Sequence, residues 1–141
     1  MRLLLLLVTV LLHPTPDPAG GSVEPTSREV LAAWDEQRSA AWADGDVRRL
    51  RSLYTAGSVA GRHDVAMLRR WTDRGRVVAG LRVQVLSMEE RSRSPDRLVL
   101  DVVDRVHGGT AEGVPLPADA PTRHTLVLRL VDGEWLVSSV R

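Results

Sequence analysis

The residues able to move protons or hold metals are few and scattered. The chain has four His, one Tyr and no Cys. Without a thiol, disulfides, zinc–thiolate sites and cysteine nucleophiles are excluded. Asp101 and Asp104 interrupt a mainly apolar stretch. Their spacing sends them to opposite faces of a regular strand, so they do not form a carboxylate pair sharing one proton. Asp104 has the parity of Leu98, Leu100, Val102 and Val106. On an inward face its carboxylate takes a raised pKa or an Arg partner. That makes Asp104 the candidate acid or base, against the plainer reading of a salt bridge or strand-end hydrogen bond. His63 beside Asp64 has the make-up of a general base and its orienter. Adjacent side chains seldom face each other, however, and Asp64 also suits a helix N-cap. His107 has the parity opposite to Asp104 and reads as a strand-end surface residue. His124 follows Pro121-Thr122-Arg123 and reads as a loop residue. No two His have a metal-ligand spacing, so no metal is expected.

Tyr54 falls among apolar neighbours, where a buried hydroxyl needs a partner. It is the first candidate for lining a pocket, with Trp34 and Trp71. The four Trp, at 34, 42, 71 and 135, otherwise read as core or interface packing. No Ser sits in a nucleophile elbow, and no Gly-rich loop joins a strand to a helix in the way that phosphate cradles require. No cofactor is expected. Nineteen basic residues, all Arg, nearly balance eighteen acidic ones, for a formal net charge of +1. That balance disfavours nucleic acid. Arg48, Arg49 and Arg51, and then Arg69, Arg70, Arg74 and Arg76, read as solvated helix faces or as contacts to anionic lipid or an acidic partner.

These residues must be positioned by an α+β fold. Thr26 and Glu29 have capping-box spacing. Val30, Trp34, Ala41 and Trp42 then form a helical stripe that Gly45 stops. Asp46 caps a short second helix through Val47, Leu50 and Leu53-Tyr54, broken at residues 56–58. Asp64 is expected to cap a third, through Val65, Leu68 and Trp71. Near Gly75 the period changes from 3.6 to 2. Strands are expected over residues 77–88, 98–107, 125–131 and 135–140. A polar connection at 92–96 joins the first two, and an Asp132-Gly133 turn joins the last two. Residues 108–121 read as a long loop or a short irregular strand. Helices first and strands afterwards argue for helices packed on one face of a curved antiparallel sheet.

Residues 40–46 (Ala-Ala-Trp-Ala-Asp-Gly-Asp), with Leu50 and Leu53-Tyr54, resemble the opening of the NTF2-like superfamily, also called SnoaL-like or ketosteroid-isomerase-like. The closing hairpin, Leu126 to Val131, Asp132-Gly133 and Glu134-Trp135-Leu136-Val137, resembles that family's last turn. The likeness spans roughly residues 27–141. It implies a cone with a pocket between helices and sheet. It also implies either a noncatalytic ligand-binding or interaction module, or a small isomerase or dehydratase acting on an apolar molecule with Asp104 as acid/base. Residues 98–104, 116–119 and 123–124 also resemble small exported actinobacterial proteins of unassigned function.

At the N-terminus, Arg2 precedes an apolar run over residues 3–12. Ten helical residues rise about 15 Å, half of a roughly 30 Å bilayer core. Residues 1–19 therefore read as a signal peptide or signal anchor, residues 20–25 as a linker and residues 26–141 as one domain. Export follows, to the outside or to the outer side of the cytoplasmic membrane. Val99, Val103, Val127 and Val131 share the open face of the sheet. They suggest a homodimer there, as the family resemblance also does; a small apolar ligand or an envelope protein is the other expected partner.

Overall fold

The computed structural model describes residues 23–141, so the proposed signal segment and the start of the linker lie outside the described residues. Three helices, α1 (Ser27–Asp44), α2 (Val47–Ser52) and α3 (Val59–Thr72), precede five strands. The strands are β1 (Val78–Ser94), β2 (Arg97–Ala111), β3 (Val114–Pro115), β4 (Thr122–Val131) and β5 (Glu134–Val140). All pairings within the sheet are antiparallel, in the order β1-β2-β4-β5, and β3 pairs with the end of β2.

The first helix starts where its capping box requires. The Thr26 hydroxyl accepts from the Glu29 amide, and Glu29 accepts from the Thr26 amide. Gly45, with φ of 63°, ends α1 in the left-handed conformation. The Asp46 side chain then caps α2 through the amides of Arg48 and Arg49. The third helix departs from expectation. It begins at Val59, five residues before Asp64, capped by the Ser58 hydroxyl on the Gly61 amide. Asp64 therefore lies inside a helix and points into the core. Within α3, Gly61 lets the helix lie close against the Tyr54 ring. A Cβ there would sit 2.6 Å from Cγ of Tyr54.

The sheet strands are longer than their apolar cores. Polar residues 89–94 stay in β1 because they pair with the buried end of β2, including Glu90 with Leu100 and Arg93 with Leu98. Four register shifts along β1 bend it, and the sheet wraps around α1. Of the two readings of residues 108–121, the short strand is the one formed, as the two-residue β3. β4 starts at Thr122, ahead of expectation, and so takes in His124. Asp132 and Gly133 both have positive φ, at 50° and 83°, as a two-residue hairpin turn demands. At the other edge, Val137 exchanges backbone hydrogen bonds with Leu53 and Thr55, which ties the end of α2 to β5.

One core joins helices and sheet. Leu50, Leu68, Leu98, Leu100, Leu128, Val102 and Val137 are almost wholly buried. On the convex face, Val99 and Val127 are already 92% and 91% covered within the chain, being 8% and 9% exposed, whereas Val131 is 42% exposed. Asp101 lies on that face, held by the Thr125 hydroxyl at 2.6 Å and by Arg91.

Candidate functional site

On α1, Leu31, Asp35, Arg38 and Trp42 follow one another at four- and three-residue steps, which places them on one side of the helix. The two apolar members pack in the core. The two charged members carry separate clusters.

The first cluster lies between α1 and α3. Arg38 forms a two-pronged ion pair with Asp64, with Nε to Oδ2 and Nη2 to Oδ1 both at 2.7 Å. The Tyr54 hydroxyl donates to Asp64 Oδ2 at 2.7 Å, and the Trp42 indole donates to Oδ1 at 3.2 Å. Arg38 also lies 5.9 Å from the centre of the Trp42 ring, within cation–π range. Burial works against the Arg38 charge, but the Asp64 carboxylate outweighs it and raises the guanidinium above its ordinary value. Burial, and then the Asp64 charge, push the Tyr54 hydroxyl upward. Neither group is a proton carrier near neutral pH.

The second cluster lies where α1 crosses the concave face of the sheet. Asp104 on β2 and His124 on β4 meet diagonally, Nε2 to Oδ2 at 3.1 Å. Asp35 comes down on them from α1. Burial raises the Asp35 carboxyl to about 6; Arg38 pulls it back, the Asp104 charge pushes it further up, and His124 opposes that. His124 is raised above its usual value by the Asp104 hydrogen bond. Burial works against that rise, and the charges of Asp104 and Asp35 add to it. Asp35, Asp104 and His124 are all half-buried, and the direct contact among them is the Asp104–His124 pair.

Two hollows flank this cluster. A groove of about 650 Å³ runs between α1 and β1, past Leu31, Asp35, Val83, Val85 and Met88. A smaller apolar mouth of about 250 Å³ opens among Trp42, Met67, Trp71, Val106 and Leu116, with Arg38 at its inner end. Asp104 lies between them. Its cross-strand neighbour Val85 borders the groove, and Val106 borders the mouth.

The residues expected from sequence are dispersed across these features. Asp104 is on the concave face and has a polar partner. Trp71 lines the mouth. Trp34 is core, 8% exposed, with its indole donating to the Leu53 carbonyl at 2.9 Å. Its ring meets Tyr54 edge-on at 5.4 Å. Tyr54 lends its hydroxyl to Asp64 and not to the cone, because Gly61 lets α3 press against its ring. His63 is exposed on α3 and does not meet Asp104, because the early start of that helix turns Asp64, not His63, inward. His124 is a strand residue, not a loop residue. Asp35, Arg38, Asp64 and His124 were not among the expected site residues. The signal for the first two was their position in the Leu31–Trp42 stripe, and for His124 its parity with Leu126 and Leu128.

No family model matches the chain, and no curated protein matches it by sequence. Solved structures do match. An NTF2-like protein from Cytophaga hutchinsonii is 22% identical with a TM-score of 0.54, over 82% of this chain and 96% of that one. The intermembrane-space region of the chloroplast protein ARC6 is 12% identical with a TM-score of 0.56, over 84% and 97%. An NTF2-like family protein from Streptomyces avermitilis, provisionally a dehydratase, is 15% identical with a TM-score of 0.51, over 79% and 91%. At these identities the likeness is one of fold. The chain is an α+β protein of NTF2-like fold, three helices followed by a five-stranded antiparallel sheet.

Proposed function

We propose that this chain is a noncatalytic NTF2-like module that binds a small apolar molecule in the mouth of the cone, on the outer side of the cytoplasmic membrane. The observation that carries this reading is the chemistry of the mouth. Its walls are mostly apolar, among them Trp42, Met67, Trp71, Val106 and Leu116; of its two charged members, Arg38 is already matched by Asp64 and Asp119 is exposed. Such a site rewards burial of apolar surface and offers little to polarise a bond. The export expected from the N-terminal segment supplies the location. Val131, exposed on the convex sheet face, is where a second copy or an envelope protein would extend the contact.

The reading is tested by titrating the protein with an environment-sensitive apolar fluorophore and following Trp emission. A Leu116→Glu substitution should weaken binding by about tenfold or more, because it places a charge in an apolar site. Equal binding by both proteins would overturn the assignment to this mouth.

The Asp35–Asp104–His124 cluster favours a second reading, a small isomerase or dehydratase with Asp104 as acid/base. Its partner is then His124, not Tyr54 or His63. The check is exchange of deuterium from heavy water into an apolar ketone. Under this reading Asp104→Asn slows exchange about 10²–10⁴-fold. Exchange no faster than in buffer ends it.

A further inference from the structure

Between residues 47 and 72 the chain carries six Arg and one acidic residue, Asp64. Asp64 is taken up by Arg38. Three of the six, Arg51 from α2 and Arg62 and Arg69 from α3, border one hollow of about 570 Å³ on the outer side of the helices, away from the cone. Arg62 and Arg69 reach it together because they lie two helical turns apart on α3. Among the described residues none of the three makes an ion pair.

Three like charges converging on a concavity repel one another unless something negative enters. The hollow is shaped to admit it. Arg62 is already positioned, because its Nη1 donates to the Gly57 carbonyl at 2.8 Å. That leaves four of its five donors free. Gly57 keeps the floor low: its φ is +81°, and the space where a Cβ would stand is empty. Ala56, Val65 and Ala66 line the remainder as an apolar wall. A volume of this size suits a small organic molecule and exceeds what a bare ion needs.

We infer that this hollow binds a phosphate ester, with the phosphate among Arg51, Arg62 and Arg69 and the ester's body against the alanines and Val65. A carboxylate offers two oxygens and one charge, which a single guanidinium satisfies. A phosphate monoester offers three terminal oxygens and up to two charges, which match several guanidinium forks. All of these arginines are exposed, but Arg48 and Arg70 do not border this hollow. The same chemistry has two sources, a soluble phosphomonoester and the monoester headgroup of phosphatidic acid.

The test compares two triple variants carrying the same loss of charge. One is Arg51→Gln, Arg62→Gln, Arg69→Gln; the other is Arg48→Gln, Arg70→Gln, Arg74→Gln. Each protein, as isolated, is titrated with glycerol 3-phosphate while the amide resonances of Gly57, Ser58 and Gly61 are followed. Each is also sedimented with vesicles of phosphatidylcholine containing phosphatidic acid. Saturable shifts with glycerol 3-phosphate, weakened about tenfold or more in the first variant and less than about threefold in the second, support a soluble ester. Vesicle binding alone, with the first variant losing about 100-fold and the second much less, supports a headgroup. Should the first variant lose its helical signal, the single substitutions Arg51→Gln and Arg69→Gln carry the same comparison against Arg48→Gln. Absence of binding to either probe, or equal losses in the two sets, would overturn the site.

Discussion

The two charge clusters on α1 are one helical turn apart and use similar residues, yet they differ in how donors match acceptors. Around Asp64, one carboxylate receives two guanidinium N–H groups, a phenol and an indole. Every charge there is opposed, and the cluster cements α1 to α3. Around Asp104, the imidazole of His124 pairs with one carboxylate, and Asp35 makes no ion pair among the described residues. Burial moves the Asp35 proton affinity toward neutrality, against the pull of Arg38 and with a smaller push from Asp104. A buried network with a full complement of partners stabilises, whereas a buried carboxyl without a direct partner holds its proton to higher pH.

The largest expected effect breaks the first cluster. Asp64→Ala leaves the Arg38 charge buried without an opposing charge and strips the Tyr54 and Trp42 donors of their acceptor. It should lower the unfolding free energy by about 3–5 kcal/mol, read by urea denaturation at neutral pH. A loss below about 1 kcal/mol would show that the two clusters are not different in kind.

The next sharpens the second cluster. The folded Asp35 carboxyl is raised from 3.8 to about 6, so its contribution to stability is most favourable below the lower value and declines as pH rises through about 6. Asp35→Asn removes that cost. The variant should be about 2 kcal/mol more stable than the parent near pH 7.5, and the difference should vanish near pH 4. Urea midpoints at the two pH values provide the check; a variant less stable at both would mean that the carboxylate is needed by the fold.

The smallest effect concerns His124. Its folded pKa is raised chiefly by Asp104, so the pair's contribution is fully present below the ordinary imidazole value and fades as pH rises through the folded one. Asp104→Asn should bring the imidazole down toward its usual value, seen in its NMR titration, with about 1 kcal/mol or less lost at pH 5. An unchanged titration would transfer the cause to Asp35.

Much of the architecture was legible in the sequence because its signals are local. The Thr26 cap, the Gly45 stop, the change of period near Gly75 and the Asp132-Gly133 turn each act within a few residues. The site was less legible. Asp64 looked like a cap because it precedes an apolar run, but the helix had already begun at Val59, capped by Ser58 within the stretch that read as a break. His124 was set aside because Pro121 precedes it, although pairing with β2 draws residues 122–124 into a strand. Asp35 and Arg38 are acidic and basic residues on an otherwise apolar stripe. Nothing local to them reveals that Asp64 and Asp104, 26 and 69 residues further on respectively, come to meet them.

The register shifts of β1 have an effect beyond curvature. This strand is an outer one and is 17 residues long. A straight strand of that length would offer neighbouring molecules an unbroken row of free amides and carbonyls, a template for stacking chain upon chain. The shifts put that row out of step, and its longest unbroken run is four residues, 87–90. Arg82, Arg91 and Arg93 distribute positive charge along the same strand. Solutions of this protein should therefore resist fibril formation when concentrated, and that resistance comes from geometry and charge, not from an obstructing partner.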